Sequence, residues 1–326
     1  MSAGPPDAQQ PVAGRHVLVT GGAGFIGSHL VDGLLARGAA QVTILDSMKY
    51  ANAAHERQAG ERVRVVKLAL GTDSDAALAD AVRGVDLLFH LAAEKHNQSL
   101  PAPQQLLAAN ITGTYALYKA AADAGVKKLV FTSSLYAYGR ISGPPMIESD
   151  VPQPWTLYGI SKLAGEHMGA HARAAYGVPS VALRYFFVYG PRQFPGMGYK
   201  SVIVSNFERL SRGEAPVIFG DGKQELDYVY VDDVVDATIR AMESPLNGAL
   251  LNVGSGVATS INDLTRVMIE VSGNRIAPAQ GPADWTAGSS RVGDNTLIGK
   301  LLDWRPKVSL RDGLQQTYAW MSGRAR

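Results

Sequence analysis

The chain is 326 residues long, 46% hydrophobic and 18% charged, with a formal net charge of +2 and no cysteine. This is globular composition without a run of like charge to grip nucleic acid or anionic lipid, and the lack of cysteine excludes disulfides, thiolate metal sites and a cysteine nucleophile. The opening MSAGPPDAQQPVAG reads as a flexible tail over 1–14, not a signal peptide, and no apolar run reaches the roughly 20 residues of a membrane span, so the expectation is a cytoplasmic protein without nucleic-acid or membrane partners.

After the tail, HVLVT at 16–20 predicts a strand, GGAGFIG a turn, and SHLVDGLLARG a helix that stops at Gly38. QVTILD at 41–46, RVRVVKLAL at 62–70 and VDLLFHLAA at 85–93 predict further strands, with a helix over 77–84 between the last two. A helix over 110–125, a strand ending in KKLVFTSS, a long helix over 157–177 and the strand SVALRYF complete the series. Strands alternating with helices predict an α/β fold, a doubly wound parallel sheet of Rossmann type occupying 15–190.

Beyond Gly190 the texture changes. GPRQFPGMGYK reads as loop, SVIVSNFERLSRG as a helix, and PVIFG, YVYV and GALLNVGSG as short strands. Residues 191–326 are expected to form mainly a smaller substrate-binding lobe on the C-terminal edge of the sheet, with later segments returning to the larger domain.

Gly21, Gly24 and Gly27 stand between the first strand and first helix, where a tight turn lets a diphosphate approach the helix N-terminus. Asp46 closes the second strand about 20 residues further on, placed to accept from ribose hydroxyls and to repel a 2′-phosphate; the cofactor expected is NAD. Phe25 and Ile26 lie in the same turn.

Tyr158 and Lys162 are one helical turn apart, so both project from one face. A tyrosine with its ordinary pKa near 10 must lose about three units, roughly 4 kcal/mol, to act as a base near neutrality, and neighbouring positive charge supplies such a shift. Upstream, Ser134 ends a strand and is placed to hydrogen-bond the substrate hydroxyl that Tyr158 deprotonates. A second Tyr-x-x-x-Lys match, Tyr115 with Lys119, lies mid-helix with no other chemistry beside it and reads as chance.

Taken in order, TGGAGFIGSHL, HLAAEKHNQS, NITGTYAL, TSSLYAYG, LYGISKLAGE, LRYFFVYGPRQ, GDGKQELDYVYVDD and LNVGSG resemble the NAD-dependent epimerase/dehydratase family, the extended short-chain dehydrogenases acting on nucleotide sugars, over roughly 14–321. The likeness to its nucleotide-sugar 4-epimerases implies that Gly21, Gly24, Phe25, Ile26, Gly27, Asp46, Leu91, Ala92, Ala93, Lys95 and Asn110 hold NAD. It further implies that Lys162 holds the nicotinamide ribose, that Ser134 and Tyr158 face the sugar C4 hydroxyl, and that the protein is a homodimer seamed along the helices at 110–125 and 158–177.

Members resembling 4,6-dehydratases carry Asp-Glu directly after the Ser/Thr; this chain has Leu135 and Tyr136. Leucine cannot move a proton, and a C4 epimerase needs no second acid or base, so epimerisation is the favoured expectation. The alternatives are a dehydratase with a nonstandard group such as Tyr136, an oxidoreductase that exchanges free NAD, and a non-catalytic NAD-binding protein.

The departures concern the substrate. Where the family has an Asn and two Arg that hold the sugar-bearing diphosphate, this chain has Phe187, Leu226 and Gly281; Arg192 and Arg291 are the candidates to compensate. Without them the substrate would be a free or phosphorylated sugar or a cyclitol. Tyr136, Phe187, Arg192 and Arg291 join Ser134 as expected substrate contacts. Ala69 stands where relatives place an Asp toward adenine. His96 is weighed as a proton relay against a surface role, His90 reads as packing, and Asp232 with Asp233 as a helix-capping pair. No spacing of His, Asp or Glu suggests a metal site.

Overall fold

The computed structural model describes residues 11–51, 60–139, 143, 145–193, 200–284 and 286–323. Six strands in chain order, β1 (His16–Thr20), β2 (Gln41–Asp46), β3 (Val63–Lys67), β4 (Leu87–His90), β5 (Lys128–Ser134) and β6 (Ser180–Tyr185), share a seven-stranded sheet with β10 (Leu250–Val253). Its order is β10-β6-β5-β4-β1-β2-β3, and β1 pairs in parallel with both β2 and β4. The chain reverses its winding between β1 and β4, the place where doubly wound sheets open a crevice at their C-terminal ends. Leu250–Val253 joins this sheet beside β6, although its sequence reads as a strand of the second region. An apolar run so short carries no mark of the sheet it will enter.

Because alternate strand residues face opposite sides, Leu18, Leu88, Leu129 and Phe131 line one face. There they pack with Leu78, Ala81 and Val82 of helix Asp75–Val82, Leu117, Tyr118 and Ala121 of helix Gly113–Asp123, and Ala172 of helix Leu157–Tyr176. Leu157–Tyr176 is capped by Thr156, whose hydroxyl accepts from the Gly159 amide at 3.0 Å. The helix expected over 110–125 is broken. Pro103–Leu107 leads into a π-helical turn at Ala108–Thr112 before Gly113–Asp123, and this turn carries Asn110 inward, where it is 4% exposed.

Residues 1–10 of the expected tail lie outside the described residues. Residues 11–14, expected within it, are held: Val12 is fully buried and the Gly14 amide donates to the Gly38 carbonyl at 2.9 Å.

By contacts the chain divides into two compact units, one drawn from Met1–Ile141, Glu148–Tyr185 and Val235–Leu251, the other from Ser142–Ile147, Phe186–Val234 and Asn252–Arg326. In the second, β9 (Glu225–Tyr230) pairs with β7 (Phe187–Tyr189), β11 (Ala258–Ser260) and β13 (Ser290–Arg291), while β8 (Val217–Phe219) pairs with β12 (Ala279–Gly281). Asp232 and Asp233 lie in the first turn of helix Val231–Glu243, but Asp233 does not act as the expected cap. Its carboxylate accepts from the Lys307 and Val308 amides at 3.0 Å each, tying down a distant loop that sequence spacing could not reveal. Part of the expected loop at 190–200, residues 194–199, lies outside the described residues. No helix among the described residues is long and apolar enough to cross a membrane.

Candidate active site

The turn after β1 accepts only glycine at its tightest points. Gly21 has φ 69°, and a Cβ on Gly27 would stand 2.1 Å from the Gly21 carbonyl oxygen. Gly24 is the N-cap of helix Phe25–Ala36, with no side-chain cap and no acid in the first turn. The amides of Phe25, Ile26 and Gly27 therefore meet no competing carboxylate from their own helix, which suits an anionic diphosphate.

Asp46, 8% exposed, ends β2, its carboxylate accepting from the Ala23 amide at 3.1 Å and the Met48 amide at 2.8 Å. It thus braces the glycine turn from the end of the neighbouring strand. These features together fit NAD. Ala69 sits in a self-closed turn, its amide donating to Asp73 at 2.8 Å.

Leu91, Ala92 and Ala93 follow β4. The Leu91 and Ala92 amides both donate to Thr20 Oγ1 at 3.2 Å, which fixes this loop beside the glycine turn. Asn110 spends its side-chain amide on the protein: Oδ1 accepts from the Glu94 amide, and Nδ2 donates to Glu94 O and Ser161 Oγ. It joins the 93–95 turn to the helix bearing Tyr158. Lys95 Nζ lies 4.2 Å from the centroid of the Tyr50 ring, and burial lowers its pKa.

Ser134, Tyr158 and Lys162 come together. Ser134 hydrogen-bonds Tyr158; burial pushes the Tyr158 phenol up to about 12, and the bond from Ser134 opposes this. Lys162 is 4% exposed, donates to the Thr132 carbonyl at 2.8 Å and lies 5.6 Å from the Tyr158 ring centroid. Burial brings its pKa down to about 7, opposed by the negative charge of Glu166. Tyr136 and His96 complete an aromatic group: their centroids are 4.4 Å apart, and both rings stand edge-on to Tyr158. Leu135 is buried at 2% exposure.

Tyr115 and Lys119 share none of this. Lys119 pairs with Asp123, and the Tyr115 hydroxyl meets that of Tyr176 at 3.3 Å. His90 is packing with satisfied nitrogens, Nδ1 against Thr20 and Nε2 against Thr114. Sequence reasoning missed Glu166, which follows Lys162 by one further helical turn and accepts from Arg184 at 2.9 and 2.8 Å. That spacing was the available signal.

In the second unit, Phe187 on β7 packs its ring 5.9 Å from that of Tyr228. Arg192 holds a left-handed backbone at φ 64°. Arg291 on β13 is the register partner of Leu226 on β9, and Gly281 on β12 is the partner of Phe219 on β8. An arginine therefore stands beside the leucine that replaces the expected one. Among the described residues no cluster of His, Asp or Glu is arranged to hold a metal.

The chain is 36% identical to a UDP-glucose 4-epimerase of Mycolicibacterium smegmatis over 313 residues, covering 95% of this chain and 99% of that one. It is 31% identical to a dTDP-glucose 4,6-dehydratase of Streptomyces griseus, over 94% of this chain and 93% of the other. In structure it resembles the UDP-glucose 4-epimerase of Thermotoga maritima solved with UDP-glucose, with a TM-score of 0.88, 34% identity, and coverage of 94% and 99%. The sequence profile described as the NAD dependent epimerase/dehydratase family matches residues 17–254. With a profile spanning most of the chain, relatives aligned nearly end to end and a glycine turn that suits the cofactor of the name, this protein belongs to the NAD dependent epimerase/dehydratase family.

Proposed function

We propose that the protein is a nucleotide-sugar 4-epimerase that oxidises the C4 hydroxyl transiently and returns the hydrogen to the opposite face. The observation carrying this reading is Ser134 hydrogen-bonded to Tyr158, with the buried Leu135 and then Tyr136 where a dehydratase needs acid and base. The carboxylates on neighbouring segments are already committed, Glu94 to Lys49 at 2.7 Å and Glu166 to Arg184. Neither of these two carboxylates is free to take a proton from C5.

In this reading Ser134 Oγ orients the C4 hydroxyl, and Tyr158 Oη takes its proton and later gives it back. When bound, NAD would supply the hydride acceptor and the returning hydride. The bond from Ser134 opposes the burial that holds Tyr158 near 12, and the Lys162 ammonium, 5.6 Å from the ring centroid, favours the phenolate. Lys162 Nζ, anchored on Thr132, retains two further donors for ribose hydroxyls. Asn110 holds the 93–95 turn so that Lys95 keeps its place. In the second unit, Arg291 and Arg192 are the candidates for diphosphate contacts, and Phe187 for a further substrate contact.

A second reading is favoured by one contact. His96 against Tyr136 at 4.4 Å offers a proton-bearing ring beside the tyrosine, the minimum a nonstandard dehydratase would require. Proton NMR in deuterium oxide with UDP-, dTDP- and GDP-hexoses, and with the corresponding free sugars and sugar phosphates, separates the two. A C4 epimer keeping all its carbon-bound hydrogens supports epimerisation. Deuterium at C5 or loss of water supports the dehydratase, and turnover only of sugars without a nucleotide would remove the nucleotide from the proposal.

A further inference from the structure

Tyr158, Lys162 and Glu166 repeat at one-turn spacing along a single face of helix Leu157–Tyr176. The Glu166 side chain is 9% exposed and that of Arg184 2%. Arg184 grips the carboxylate through Nε and Nη2, and Ser133, next to Ser134 on β5, donates its hydroxyl to the same oxygen that receives Nε. The guanidinium stacks 4.2 Å from the Tyr138 ring centroid, and its Nη1 is buried without a hydrogen-bond partner. Three buried charges therefore alternate in sign from Lys162 through Glu166 to Arg184.

This is more charge than a structural ion pair needs. A buried pair can often be replaced by apolar groups at little cost, whereas a lone buried cation cannot. Among the described residues Lys162 has no direct carboxylate partner: its ammonium meets the Thr132 carbonyl and lies 5.1 Å from the Phe131 ring centroid. Among the described residues, the titratable groups that face it are Tyr158 and Glu166 from its own helix and His90 from β4, with Arg184 of β6 acting through Glu166. His90 carries no charge above about 3, so among the described residues Glu166 is the negative group acting on Lys162 at working pH.

We infer that Glu166 is a positioning residue that keeps Lys162 a cation in its buried place, and that Arg184 limits how strongly it does so. The inference rests on Lys162 serving the cofactor as proposed above. It makes opposite predictions for the two partners: removing the carboxylate lets Lys162 lose its proton at lower pH, and removing the guanidinium leaves the carboxylate's field uncompensated, so Lys162 holds its proton to higher pH.

The test is the NAD dissociation constant of the full chain, freed of cofactor, from pH 5.5 to 10 by titration calorimetry, with kcat/KM profiles alongside. In Glu166→Gln the alkaline loss of affinity is expected to move acid-ward by about one pH unit. In Arg184→Met it moves the other way. Should either single variant fail to fold, Glu166→Gln with Arg184→Met removes both buried charges, and its limb is expected to stay displaced acid-ward while its thermal midpoint recovers. Limbs coincident with the parent's, or shifts of one sign in both single variants, overturn the inference. Because binding is read without turnover, failure of every sugar to react would refute the epimerase reading and leave this measurement intact.

Discussion

Asn110 holds the backbone of Glu94 from both sides: its Oδ1 accepts from the Glu94 amide at 2.7 Å, and its Nδ2 donates to the Glu94 carbonyl at 3.0 Å. The clamp is buried and also reaches Ser161 on the helix of Tyr158 and Lys162. Replacing Asn110 by Leu leaves buried polar groups unpaired, a cost of about 1–3 kcal/mol. Urea unfolding should register that loss, and NAD affinity should fall with it. A variant of unchanged affinity would show that the 93–95 turn needs no clamp.

Tyr158→Phe removes the proposed acid/base oxygen and little volume. Epimerisation should drop about 10²–10⁴-fold, read as kcat, while the protein still purifies with NAD. Ser134→Ala is expected to act in the same direction and more weakly. Retained activity in Tyr158→Phe would place the proton transfer on another group.

His90 provides a pH signature independent of the reaction. Burial first, and the Lys162 charge second, bring its pKa to about 3 from the ordinary 6.5. Between those values the unfolded chain binds a proton that the folded chain refuses, so stability falls as pH drops from about 6.5 toward 3, by at most about 1.4 kcal/mol per unit. In His90→Gln the dependence of urea midpoint on pH across 4–6 should be shallower by one proton. An unaltered slope would mean that His90 is protonated within the fold.

Arg291 stands beside Leu226 in the parallel register of β13 with β9. If it holds the substrate diphosphate, Arg291→Ala should raise KM for a nucleotide sugar about tenfold or more with kcat little changed, the loss expected of a charge-assisted bond. Adding Leu226→Arg should recover part of it. Kinetics showing no KM effect would favour a substrate without a nucleotide.

The sequence by itself determined the parts written in local patterns. β1, the glycine turn, helix Phe25–Ala36 and Asp46 at the end of β2 fall where periodicity and turn chemistry require. Tyr158 and Lys162 share a face because helical spacing permits nothing else. The family was legible in the same way, from motifs in order.

Only the tertiary structure decided which groups act on those residues. Asn110 reads as a cofactor residue, yet the π-helical turn commits its amide to Glu94 and Ser161. Asp233 reads as a cap and instead binds the amides of 307 and 308, far along the chain. Glu166, Arg184 and Ser133 meet only because β5, β6 and the Tyr158 helix pack together. Periodicity reports on neighbours within a turn or a strand; burial and charge at Lys162 are sums over segments remote in sequence, and they exist only once the sheet has closed around it.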